Sequence, residues 1–192
     1  MSDDEERRRF ELLVLPHLDA GLNLARWLTR DDHDAQDVVQ EAVLRAIRHI
    51  GGFRGDNARA WLLQIVRNTC FSWLKENRPA ELAALDDADG ALHEVAAPAA
   101  DEPPSVAVRN ADRLRINQAI AALPVAYREV LVLRELEDFS YKEIARIADI
   151  PVGTVMSRLA RARGLMQRAL LPLSGRPALH AVPRSSEGEW KR

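Results

Sequence analysis

The chain has 192 residues, enough for two small domains or one medium-sized one. Hydrophobic residues make up 47 % and charged residues 29 %, so a packed core is available, yet no run approaches the roughly 18 to 20 apolar residues of a membrane span. The formal net charge of −2 conceals a segregation of sign. From 150 to 186 there is no acid but there are Arg158, Arg161, Arg163, Arg168, Arg176 and Arg184; from 79 to 108 there is no Lys or Arg but there are Glu81, Asp86, Asp87, Asp89, Glu94, Asp101 and Glu102. A basic block suits a polyanion, and an acidic one repels it. Cys70 is the single cysteine, which excludes an internal disulfide framework and a multi-cysteine zinc site. The first residues, Met1 to Arg7, lack the apolar stretch of a secretory signal, so a cytoplasmic protein without membrane insertion is expected.

Ala, Leu, Arg and Glu dominate and no strand-length run alternates apolar with polar residues, which predicts an all-α fold. In the first zone, Phe10, Leu13, Val14, Leu18, Gly21, Leu24, Ala25 and Leu28 keep a helical period, interrupted at Pro16. Asp31, Asp32 and Asp34 offer N-caps for a second helix, Asp34 having capping-box spacing to Asp37. The expected buried stripe of that helix is Val39, Val43, Ala46, Ile47 and Ile50, and Gly51 is a candidate for the left-handed position that ends it. Phe53 to Asn57 forms a loop into a third helix from about Ala58 to Lys75, with Leu62, Val66, Thr69, Cys70, Trp73 and Leu74 inward.

Residues 79–110 are rich in Ala, Asp and Pro and poor in large apolar groups, which predicts a flexible acidic linker between two small helical domains, 1–78 and 111–171. In the second domain a helix through Ile116, Ile120 and Leu123 stops near Pro124, and another spans about Tyr127 to Leu136. Ser140 and Glu143 form a capping-box pattern opening a short helix, Tyr141 to Ala148; after Asp149-Ile150, a last helix runs to about Leu170. The tail 172–192, punctuated by Pro, Gly and Ser, is expected to be loose.

Three faces carry chemistry. The final two helices have helix-turn-helix spacing: Ile144, Ala145, Ala148, Ile150 and Val155 meet at the crossing, and Asp149 is suited to positive φ. On the last helix Val155, Leu159, Ala162, Leu165 and Ala169 face inward, leaving Thr154, Ser157, Arg158, Arg161 and Arg168 outward, a hydroxyl-and-arginine face of the kind that enters a major groove. On the third helix Trp61, Gln64, Asn68, Phe71 and Lys75 recur at three- and four-residue steps beside Arg67, a pattern that suits stacking and hydrogen bonding to unpaired bases or, equally, a second core contact through Trp61 and Phe71. On the second helix Asp37, Gln40, Glu41, Leu44 and Arg48 form another face, where a leucine among polar groups hints at a protein contact.

These stretches resemble a known family. Asp34-Ala-Gln-Asp-Val-Val-Gln-Glu-Ala-Val-Leu-Arg45, Phe53-Arg-Gly55 and Ala60-Trp-Leu-Leu-Gln-Ile-Val-Arg-Asn-Thr69 resemble region 2 of the extracytoplasmic-function (ECF) sigma factors of bacterial RNA polymerase, in the sigma-70 family. Leu123-Pro-Val-Ala-Tyr-Arg-Glu-Val-Leu-Val-Leu-Arg134, Ser140-Tyr-Lys-Glu-Ile-Ala145 and Pro151-Val-Gly-Thr-Val-Met-Ser-Arg-Leu-Ala-Arg-Ala-Arg163 resemble their region 4, in the family's order. The resemblance implies a promoter-reading subunit with no cofactor and no catalytic residue. It implies that Asp37, Gln40, Glu41 and Leu44 dock on the clamp of the polymerase largest subunit, while region 4 meets the flap of the second-largest. It further implies that Phe53, Arg54, Asn57, Arg59, Trp61, Gln64, Arg67 and Asn68 recognise and open the −10 element, and that Thr154, Met156, Ser157, Arg158 and Arg161 meet the −35 element. An anti-sigma factor is the implied inhibitor. Met156 departs from the arginine of some relatives: a thioether can touch a thymine methyl but cannot make a bidentate bond to guanine.

Two other classes are weighed against this. A stand-alone helix-turn-helix regulator would bind duplex tightly alone and ignore polymerase. An enzyme fares poorly, because His17, His33, His49, His93 and His180 are dispersed and no phosphate loop or nucleophile elbow occurs.

Overall fold

A computed structural model describes residues 3–55, 57–82 and 106–170, with side chains at 4–55, 57–82 and 111–170. The expectations for the middle of the linker and for the C-terminal tail lie outside the described residues. Helix α1 (Asp3–Leu13) leads through a 3-10 turn (Leu15–His17) containing Pro16 into α2 (Leu18–Thr29). α3 (Asp32–His49) and α4 (Ala58–Asn77) complete the first lobe. The second lobe comprises α5 (Val106–Ala122), α6 (Val125–Leu131), a π-helical turn (Val132–Leu136), α7 (Tyr141–Ala148) and α8 (Val152–Leu170). No strand occurs among the described residues.

The caps explain where the helices start. Asp31, not Asp34, caps α3: its carboxylate accepts from the backbone N–H groups of His33 and Asp34 at 2.8 and 3.0 Å. Those two bonds hold its carboxyl below the usual carboxylate range. Asn57 caps α4 through Ala60 N–H at 2.9 Å. Ser140 and Glu143 complete the expected capping box of α7.

The first core is made by α2, α3 and α4. Leu24, Ala25 and Leu28 meet Leu62, Leu63, Val66, Cys70 and Leu74, with Ala35, Val38, Ala42 and Ala46 of α3 closing the third side. The α3 stripe keeps the expected Ala46 and Ile50 but is otherwise rotated from the expected one. Val39 and Val43 flank the core and Ile47 is exposed, because small alanines let α3 approach closely along the Ala35–Ala42–Ala46 line. Gly21 marks a similar close approach: a Cβ there would stand 3.3 Å from Val66 Cγ2. Gly51 does not take the left-handed conformation; α3 ends instead in a 3-10 turn, Ile50–Gly52. Among the described residues, those with positive φ are Arg30, Asp138 and, as expected, Asp149.

The second core packs Ile120, Leu123, Val130 and Leu133 against Ile144, Ile147, Val155, Leu159 and Ala162. The two lobes do not stand apart. Their buried side chains form one continuous cluster, with α4 against α7 and α2 against α6. Residues 79–82 and 106–110, expected in the linker, are helical, and Glu81 is bound by Arg30, Arg78 and Arg128.

Candidate nucleic-acid interface

The helix-turn-helix is built as its sequence demands. Asp149 ends α7 in the left-handed conformation (φ 55°, ψ 50°), and Ile150 N–H donates to Ala145 O at 3.0 Å across the turn. Ile144, Ala148 and Val155 are fully buried at the crossing, joined by Ile147, while Ala145 and Ile150 are partly buried. Along α8, Val155, Leu159, Ala162 and Leu165 are buried and Ala169 is half-buried. Met156, Ser157 and Arg161 face solvent and Thr154 lies at the edge. Ser157 Oγ donates to Thr154 O at 3.1 Å, and Arg161 Nη1 lies 3.3 Å from Tyr127 Oη.

Arg158 departs from the outward position expected of it. Its side chain is half-buried, and its buried Nε has no hydrogen-bond partner. Its charge acts on Glu129, a fully buried carboxylate of α6.

The α4 face is occupied. Arg67 Nε donates to Glu129 Oε1 at 2.7 Å, and its guanidinium lies 3.9 Å over the Phe71 ring. Arg59 donates to Glu137 twice, to Oε2 at 2.5 Å and to the backbone oxygen at 2.8 Å, and stacks on Phe139. Gln64 Nε2 donates to Arg146 O at 3.1 Å, and Asn57 Nδ2 to Glu143 Oε1 at 2.7 Å. All four acceptors belong to the second lobe. Of the remaining residues of that set, Arg54 donates to Gly51 O at 2.9 Å and Asn68 Oδ1 accepts from Arg67 at 3.2 Å. Phe53 is buried, which removes it from direct contact with bases; its ring centroid lies 4.9 Å from that of half-buried Trp61 and fixes that indole from behind. Trp61 and Phe71 both pack against the core, so the second-contact reading of these aromatics describes this arrangement.

The α3 face is open. Asp37 and Gln40 are exposed, Glu41 is paired with Arg45 at 2.9 Å, and Leu44 keeps 44 % of its surface. Ile47, one turn on, keeps 45 %, so this face is more apolar than expected.

Several residues at the lobe contact escaped sequence reasoning. Asn23 Nδ2 donates to Glu137 Oε1 at 2.5 Å. Arg128 has no exposed surface and donates to Ala121 O, Leu123 O and Leu28 O at 2.7, 3.1 and 3.3 Å, closing the carbonyl ends of α5 and α2 at once. Burial pushes its pKa down to about 10, with Arg30 nearby, so it stays charged at neutral pH. Burial pushes the Glu129 carboxyl up, and the adjacent Arg67 guanidinium offsets part of that. The available signal was Arg128-Glu129 set inside the apolar run Val125–Leu133, where a charged pair must find buried partners.

An α-helical lobe with an open α3 face of mixed polar and apolar residues, joined to a helix-turn-helix lobe, has the architecture of a nucleic-acid-reading adaptor. Residues 13–79 match the family described as sigma-70 region 2, and residues 113–166 match sigma-70, region 4. The chain is 38 % identical over 177 residues to the RNA polymerase sigma-H factor of Pseudomonas aeruginosa, covering 88 % of this chain and 89 % of that one. It is 36 % identical over 179 residues to the ECF RNA polymerase sigma-E factor of Escherichia coli K12, covering 88 % and 90 %. Among solved structures, it resembles the sigma factor RpoE in complex with the anti-sigma factor NepR from Bartonella quintana (TM-score 0.63, 28 % identity, 84 % of this chain and 96 % of that one). It also resembles CnrH in complex with the cytosolic domain of CnrY (TM-score 0.59, 26 % identity, 88 % and 91 %). The chain belongs to the sigma-70 family, in its ECF subgroup.

Proposed function

We propose that this chain binds core RNA polymerase and directs promoter-specific initiation, with α3 docking on the polymerase clamp, α4 and its preceding loop serving the −10 element and α8 the −35 element. The observation that carries this reading is the combination, in family order, of an open α3 face (Asp37, Gln40, Leu44) with an α8 that turns Ser157, Met156 and Arg161 to solvent. A mixed polar and apolar helical face suits a protein partner, and a hydroxyl-and-arginine face suits a groove. The second lobe also has an apolar groove between Ile120, Leu131, Leu136 and Met166, which suits the polymerase flap. The role is not catalytic: polymerisation belongs to the core enzyme, and this subunit supplies address and strand opening. No described helix is long and apolar enough to cross a membrane. An anti-sigma factor spanning both lobes is the proposed inhibitor; one structural neighbour is in complex with an anti-sigma factor, NepR, and another with the cytosolic domain of CnrY.

The test is retention of purified bacterial core polymerase on the immobilised chain, wild type beside Gln40→Ala/Glu41→Ala. Wild type should retain core and the double variant should retain less. A folded wild-type chain that retains none at low salt would overturn the reading.

A further inference from the structure

The N-terminal end of a recognition helix makes its base contacts. In α8 that end, Val152 to Ser157, contains no arginine, lysine, asparagine or glutamine. Bidentate bonds to guanine or adenine need one of those side chains. Farther along, Arg158 is half-buried toward Glu129, and Arg163 is bound to Glu135 Oε1 by two donors at 2.7 and 3.2 Å. What the first two turns present is apolar. Val152 keeps 39 % of its surface and Met156, one turn on, keeps 54 %. Gly153 beside them has open space where a Cβ would stand, so another surface can come close to the helix there.

We propose that Met156, with Val152 beside it, reads thymine methyl groups in the major groove, so that the −35 element carries thymine where an arginine at that position would call for guanine. This rests on the assignment of α8 to the −35 element and names the bases its first two turns select. Thymine is the base that turns an apolar group, its C5 methyl, into the major groove. The Met156 thioether is unbranched and adaptable enough to cover that methyl.

The surroundings suit a duplex. Lys142 and Arg146, one turn apart on α7, are exposed and share a shallow depression with Asp149, Pro151 and Val152. Cations that can hold phosphates therefore border the apolar pair, and they fix the register in which Met156 meets a base. Ser157 strengthens the selection. Its Oγ donates to Thr154 O at 3.1 Å and so turns acceptor capacity outward, which an amino group such as adenine N6 meets. Guanine, whose major-groove edge holds acceptors alone, finds no donor in Met156 or in a Ser157 bonded this way.

The test uses holoenzyme reconstituted from core polymerase and the full chain, selecting from promoter duplexes randomised through both elements. Wild type should enrich thymine in the upstream element, and Met156→Arg should move one such position to guanine while the others stay. In the selected duplex, deoxyuridine at that position removes the methyl and keeps the base pair. It should weaken wild-type binding about fourfold, the scale of one buried methyl-sized group. The same replacement should cost the Met156→Ala holoenzyme far less. Met156 is exposed, so neither variant disturbs the core. Deoxyuridine tolerated by wild type, or costing Met156→Ala as much, would overturn the methyl reading and leave α8 on the −35 element. A position that is already guanine for wild type, or an element unmoved by Met156→Arg, would overturn it equally. Selection of a −10 element with no upstream element would instead remove α8 from promoter reading, and the proposal with it.

Discussion

The two helices proposed to read bases, α4 and α8, are alike in residue type and opposite in circumstance. On α8 the face Met156, Ser157 and Arg161 is turned to solvent. On α4 the face Asn57, Arg59, Gln64 and Arg67 is turned into the other lobe and satisfied there. A helix surface can therefore carry a recognition pattern without presenting it. Whether it is presented depends on which buried acids the rest of the chain brings opposite, a property of tertiary arrangement alone. Arg158 shows the same rule in miniature, since one residue of the open helix is drawn inward by the buried Glu129.

The largest effect should come from removing the carboxylate at the centre of that arrangement. Glu129→Ala leaves Arg67, which is only 16 % exposed, and Arg158 beside an apolar hole, and should cost about 3 to 5 kcal/mol in denaturant unfolding of the full chain. Glu129→Gln keeps the volume and one acceptor and should cost less. A cost below about 1 kcal/mol for Glu129→Ala would mean that the pair is not what separates the two faces energetically.

A smaller effect should separate the faces by function. Arg161→Ala should reduce the dependence of holoenzyme–promoter affinity on salt by roughly 0.9 in the log–log slope if Arg161 meets one phosphate. It should leave the contact between the lobes unchanged, because Arg161 lies on α8, away from the α4 contacts. Closely comparable is Ser140→Ala, which removes the α7 cap bond to Glu143 N–H and should cost about 1 kcal/mol by thermal unfolding. Because Glu143 also binds Asn57, that variant should loosen the rim of the contact between the lobes as well.

How much of this was legible beforehand follows from the range of the interactions. The helix-turn-helix was legible to within a residue, because its signals are local: Ser140 and Glu143 three apart, an Asp at the turn, and an apolar spacing on both sides. The α4 start at Ala58 was legible for the same reason. The α3 stripe was misread in part: Ala46 and Ile50 are buried as expected, but the small Ala35 and Ala42 were undervalued and are buried by close helix approach, whereas the larger Ile47 is left out. The Gly51 expectation failed because a 3-10 turn closes the helix without positive φ. The lobe contact was not legible, since the partners of Arg67 and Arg59 lie 62 and 78 residues away and nothing local announces them.

The smallest effect tests the turn that aims the open face. Asp149 sits at φ 55°, where a side chain with a Cβ is strained and an Asp less than most. Glycine removes the strain but gives the unfolded chain more freedom to lose, a loss of about 0.5 to 1 kcal/mol, so Asp149→Gly should move stability by only a few tenths of a kcal/mol. Asp149→Ala removes the local polar compensation and keeps the Cβ, and should cost about 1 kcal/mol. Thermal unfolding of the three chains checks the ordering. Promoter binding by the holoenzyme should be retained in Asp149→Gly, because glycine holds the same turn and the same direction of α8. Weakened binding there without lost stability would show that glycine's extra freedom at the turn no longer aims α8, making the stiffness of Asp149 part of how the open face is presented.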